Sequence, residues 1–133
     1  MRRNLIDEKD MLRESDRVAV DVINYAVRGL LMTTLELLSQ GAGVGTDMGG
    51  CGFWEDWGEY NEGNCEPFDG VEFYDGPQFD GQEPERIVLS TEDTYYYLKV
   101  ASKSYIEEYP ERAQRVEELL EAYRKNFDIH EKV

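Results

Sequence analysis

The sequence predicts an α+β fold, with three main helices packed on a small antiparallel β-sheet. Three observations carry this. Apolar residues recur at three- and four-residue steps across residues 17–40 and again across 91–127, which is the helical period. Val71 and Phe73 alternate with Glu72 and Tyr74, the period of a half-buried strand. Between these patterns, residues 41–69 are rich in glycine and carboxylates and hold neither period. At 133 residues, one domain spanning 1–133 is expected.

Residues 1–16 are polar and mixed in charge, which predicts a flexible arm or a short helix around 8–13. Residues 17–40 predict a helix whose inner face is Val20, Ile23, Val27, Leu30, Leu31, Thr34, Leu35 and Leu38. Gly29 costs that helix about 1 kcal/mol against alanine, so it either permits close packing or splits the helix in two. Gly41 and Gly43 are natural terminators, because glycine takes the left-handed conformation without a Cβ clash. Residues 41–69 then predict a Gly-rich acidic loop, with room for one short strand at 51–54. A loop of that length in a small chain is mobile or functional.

Residues 70–89 predict a strand pair, 70–74 and 86–89, joined through Asp75 and the ten residues GPQFDGQEPE that follow it. Residues 91–127 predict a helical hairpin. Ser90 with Asp93 three residues on resembles a capping box, and Glu92 and Asp93 suit the positive end of a helix. The inner face of the first hairpin helix is Thr94, Tyr97, Leu98, Ala101 and Tyr105, with Ile106 a further candidate. Tyr109-Pro110 breaks it, and Pro110 fits the first turn of the next helix. That helix carries Ala113, Val116, Leu119, Leu120, Tyr123 and Phe127 as its apolar stripe.

Charge narrows the possible partners. The formal net charge is −15, and no Lys or Arg lies between Arg28 and Arg86. Thirteen acids fill that gap. A pI near 4.3 opposes nucleic acid and anionic membrane as partners and favours a basic protein or a cation. The N-terminal arginines have no apolar run behind them, so no signal peptide is predicted, and the apolar region after Val18 is broken by polar residues. A cytoplasmic protein is expected. Cys51 and Cys65 then default to two buried thiols.

Four chemistries can be set against these residues. Glu55 with Asp56, or Glu59 with Glu62, offers a carboxylate pair for a small acidic hydrolase. That use needs one carboxyl held in a dry pocket, and a solvated acidic loop is the plainer reading. Asp75, Asp80 and Glu83 are oxygen donors among glycines, but they lack the spacing of a calcium loop. The glycines after the first helix follow no strand and carry no Lys-Ser/Thr pair, so a phosphate cradle is not expected. Cys51 or Cys65 with His130 is the one Cys–His option, and two packed thiols explain the cysteines better. No cofactor or metal is expected.

The aromatics of the loop divide differently. Some of Phe53, Trp54, Trp57 and Tyr60 must close the core. Trp54-Glu55-Asp56-Trp57 also sets two tryptophans beside carboxylates, which suits a protein–protein interface. The expected partner-binding residues are Trp54, Glu55, Asp56, Trp57, Glu59, Tyr60, Glu62, Glu66 and Asp69. An acidic adaptor protein, whose charge serves only solubility, is the alternative to a binding role of this kind.

Longer segments carry a resemblance. LELLSQGAGVGTD (from Leu35 to Asp47), the Cys51-x-Phe53 pair, EPFDGVEF (from Glu66 to Phe73) and TYYYLKVASKSYIEEYPE (from Thr94 to Glu111) resemble a family of bacterial immunity proteins. These are the ribonuclease-toxin immunity proteins of contact-dependent growth inhibition systems. The resemblance spans about Leu31 to Phe127. It implies a protein without catalytic activity that binds the C-terminal toxin domain of a secreted effector and neutralises it in the producing cell. Such toxins cleave RNA and present a basic groove, which an acidic, aromatic surface would cover.

Overall fold

The computed structural model describes residues 4–46, 48–54, 68–75 and 85–130. Its architecture is the expected α+β arrangement of helices on a small antiparallel sheet. Four strands form the sheet: β1 (Val44–Thr46), β2 (Gly49–Gly52), β3 (Val71–Asp75) and β4 (Glu85–Leu89). They lie in chain order, each antiparallel to the next. The helices are α1 (Arg17–Asp21), α2 (Leu31–Ser39), α3 (Thr91–Glu108) and α4 (Ala113–Asn126).

Register sorts the side chains. Val44, Cys51, Phe73 and Ile87 form one cross-strand row, so they share a face. With Val71 and Leu89 they make the apolar face against which the helices pack. Gly45, Gly50, Tyr74 and Arg86 form the next row, on the opposite face. There the Arg86 guanidinium donates to Glu72 at 2.9 Å and lies over the Tyr74 ring. Burial pushes the Tyr74 hydroxyl above its ordinary pKa.

The 3₁₀ turn Pro110–Arg112 begins with its proline and joins α3 to α4. Ser90 caps α3 as expected, its Oγ accepting from the Asp93 N–H at 3.0 Å. Val116, Leu119 and Tyr123 of α4 are buried, and α4 packs on both α2 and α3. Tyr123 stacks on Tyr95 and meets Phe127, which in turn stacks on Phe53 with ring centroids 5.4 Å apart. That aromatic column ties the end of β2 to the C-terminal helix.

Three expectations are corrected. First, residues 1–16 are not a flexible arm among the described positions. Leu5 and Ile6 are buried in the core. The Asn24 amide clamps Ile6 at both ends, accepting from its N–H at 2.9 Å and donating to its carbonyl at 3.0 Å. Tyr97 Oη accepts from the Leu12 N–H and donates to the buried Asp16 carboxylate at 2.6 Å. Burial and that hydrogen bond push the Tyr97 pKa up to about 12. Two adjacent apolar residues and two 3₁₀ turns leave no period for a sequence pattern to register.

Second, residues 17–40 are not one helix. After α1 the chain widens into a π-helical turn, Val22–Ala26, then tightens into a 3₁₀ turn, Arg28–Leu30. The Val27 N–H bonds five residues back, to the Val22 carbonyl. Such an insertion in the hydrogen-bond ladder bends a helix. Here the segments Glu14–Ala26 and Arg28–Ser39 meet at 72°. The bend lets Val20, Ile23 and Val27 on one limb and Leu31, Leu35 and Leu38 on the other reach one core. It turns Leu30, expected inside, outward to 43% exposure. A Cβ added at Gly29 would meet nothing within 4 Å, so Gly29 belongs to the break and not to a close packing contact.

Third, the stretch 41–69 is not all loop. It contributes β1 and β2, half of the sheet. Glycines hide strands from a propensity reading. A Cβ on Gly50 would lie 2.3 Å from the Val44 carbonyl oxygen and 2.8 Å from Gly45 Cα, so glycine is what lets β1 and β2 approach.

Candidate partner-binding site

Trp54 is placed by its neighbours. Cys51 is buried on β2 and Phe53 is locked on Phe127, so the chain leaves the sheet with Trp54 as its next side chain. Trp54 is half-buried and sits edge-to-face on Phe68, with centroids 5.8 Å apart. Phe68 in turn is held by the turn into β3. Gly70 there takes φ +104°, and a Cβ would lie 2.2 Å from the Leu89 carbonyl oxygen. Only glycine fits that turn. Asp69, between Phe68 and Gly70, is exposed and makes no ion pair among the described residues.

The structure therefore brings Trp54, Phe68 and Asp69 to one end of the sheet, an aromatic pair with a carboxylate beside it. Glu55, Asp56, Trp57, Glu59, Tyr60, Glu62 and Glu66 lie outside the described residues, and so do both carboxylate pairs weighed for hydrolysis. Phe68 was not singled out from sequence, although it stands in the EPFDG block next to two acids. Phe53, weighed as core or contact, belongs to the core.

Elsewhere some of the acids are paired. Arg13 pairs with Asp16 and Asp93, Arg17 with Glu8 and Glu14, Arg28 with Glu108, and Arg124 with Glu121. Among the described residues no group of three or more His, Cys, Asp or Glu is placed to hold a metal ion. Asp80 and Glu83 lie outside them. Cys51 is wholly buried while the His130 side chain is 83% exposed beside Asp128, so these two form no catalytic dyad. No single helix among the described residues is long and apolar enough to cross a membrane.

At the opposite end of the sheet, where the sequence offered Asp75 only as an oxygen donor for calcium, Asp75 is directly opposed to Glu85 on β4 and Asp21 lies close enough to act on its charge. Burial holds the Asp75 carboxyl above its usual range, and the charges of Asp21 and Glu85 add to the shift.

No curated protein matches the sequence. A family model does: the match runs over residues 14–120, from the 3₁₀ turn before α1 into α4. It reaches further toward the N-terminus than the segments that carried the resemblance. With most of the fold inside that span, the chain belongs to the CDI immunity proteins, the family of contact-dependent growth inhibition.

Proposed function

We propose that this protein binds and neutralises a cognate ribonuclease toxin domain, the C-terminal region of a secreted effector, in the cytoplasm of the producing cell. It does so as a binding protein, without catalysis or cofactor. The acidic aromatic surface that begins at Trp54 covers the toxin's basic RNA groove. The observation that supports this most is the placement of Trp54. It is held against Phe68 at the surface, at the start of a segment whose acids have no Lys or Arg among them between Arg28 and Arg86. An aromatic anchor ringed by carboxylates suits a partner of opposite charge.

Aromatic anchor and charged rim act on different rate constants. Truncating an anchor leaves a void and speeds dissociation, whereas removing rim charge slows association. Trp54→Ala is therefore expected to cost about 2 kcal/mol or more of toxin affinity. Reversing Glu55, Asp56, Glu59 and Glu62 to Lys is expected to slow association and flatten its salt dependence. Surface plasmon resonance with the toxin domain measures both. Unchanged association kinetics in the reversed variant would rule out charge mimicry by this segment.

A further inference from the structure

Phe53, the residue before Trp54, is held from across the fold by the end of α4. It is 6% exposed, and its ring lies nearly parallel to that of Phe127, at an interplanar angle of 14°. Phe127 itself is fixed on two sides. Tyr123, one turn earlier, meets its ring at 4.7 Å between centroids and is in turn stacked on Tyr95 of α3. After Phe127 the helix closes in a full Schellman motif: the Asp128 N–H donates to the Lys125 carbonyl at 3.3 Å, and the Ile129 N–H to the Arg124 carbonyl at 2.9 Å. Arg124 Nη1 donates back to the Ile129 carbonyl, and the Ile129 side chain is buried. The Asn126 amide donates to the Ser39 carbonyl, which ties the same turn to the end of α2.

That turn is built at a cost. Its left-handed position, at φ +52°, is occupied by Asp128 where glycine is usual. Lys125, Asn126 and Asp128 are exposed, so water would satisfy the last carbonyls of the helix without the turn. What the turn adds is a fixed place for Phe127 at the helix cap. The family match ends at residue 120, so Tyr123, Phe127 and the closing turn lie beyond the matched span, whereas Phe53 and Trp54 lie within it.

We propose that Phe127 is a positioning residue for toxin recognition: held by the Schellman turn, it locks Phe53 and so sets the direction in which Trp54 is presented to the toxin domain. The proposal rests on the toxin-binding reading of Trp54 above. An anchor displaced by about 1 Å loses much of its fit, so a loosened Phe53 weakens binding with the surface residues themselves unchanged.

The test uses full-chain variants and three readouts: affinity for the toxin domain, melting temperature, and acrylamide quenching of Trp54. Quenching is read without toxin in a Trp57→Phe background, which leaves Trp54 as the one tryptophan. Phe127→Leu keeps an apolar side chain but loses the ring. It is expected to weaken toxin binding about tenfold and to increase quenching of Trp54. Phe127→Tyr keeps the ring and is expected to restore both. Val116→Ala, at a buried position three turns earlier on α4, is expected to lower the melting temperature at least as far while moving neither. Toxin affinity in Phe127→Leu equal to that in Val116→Ala overturns the positioning role. If Trp54→Ala still weakens binding in that case, the toxin-binding reading stands without Phe127. If Trp54→Ala binds as tightly as wild type, both fall.

Discussion

Asn24 shows how much one side chain can decide. It satisfies the backbone of Ile6 on both sides and so draws the first described residues into the core. Asn24→Ala would leave a buried N–H and a buried carbonyl without partners, at about 1–3 kcal/mol for each such group. Chemical denaturation is expected to show a loss of about 2 kcal/mol or more, with amide exchange at Ile6 accelerated first. Asp75 supplies a second test at this scale. Its folded-state pKa is raised, by burial and then by Asp21 and Glu85. A group of that kind favours the folded state while protonated, and the advantage is lost as pH rises through the folded pKa. The melting temperature of Asp75→Asn, relative to wild type, should therefore climb as pH is raised from below about 3.9, the ordinary Asp value, toward neutrality. A constant difference across that range would mean that Asp75 is not under electrostatic strain. Neither role was visible in the sequence. Asn24 looked like a polar interruption in a helix, Asp75 like an oxygen donor among glycines, and only folding brings Asp21 and Glu85 to it.

Among the elements, legibility followed periodicity. The hairpin α3–α4 and the β3–β4 pair were readable, down to the Ser90 cap and Pro110 in the first turn, because their apolar residues keep a regular step. The bend was legible only as one of two uses for Gly29, since a π-helical turn shifts the phase without changing composition. Of the strands β1 and β2 only a short strand at 51–54, overlapping the end of β2, was offered, since their glycines serve close approach and carry no side-chain pattern. These two failures make opposite predictions for glycine. Gly50→Ala is expected to destabilise by about 2 kcal/mol or more, because its Cβ meets the backbone of Val44 and Gly45. Gly29→Ala is expected to be neutral or to stabilise by up to about 1 kcal/mol, because its Cβ has open space and its φ is not positive. Thermal melts of the two variants side by side check both.

At the scale of the molecule, charge is distributed with a purpose that core packing does not supply. The basic side chains Arg13, Arg17, Arg28 and Arg124 are engaged by acids of the helical layer and its flanks. The middle of the chain is left acidic, from the residues after Arg28 to those before Arg86. The overall charge and its gap were plain in the sequence, and so was the expectation of a basic partner. The positions proposed to meet such a partner were only partly so: Trp54 and Asp69 lie together at one end of the sheet, and Phe68 joins them unannounced. Membership of the CDI immunity family gives the fold a toxin to bind. The most direct test is to titrate the cognate toxin domain with this protein and follow RNA cleavage. Cleavage should fall to background at a one-to-one ratio, with inhibition weakening as salt is raised. RNA cleavage that persists in the presence of excess protein would contradict the proposed neutralisation.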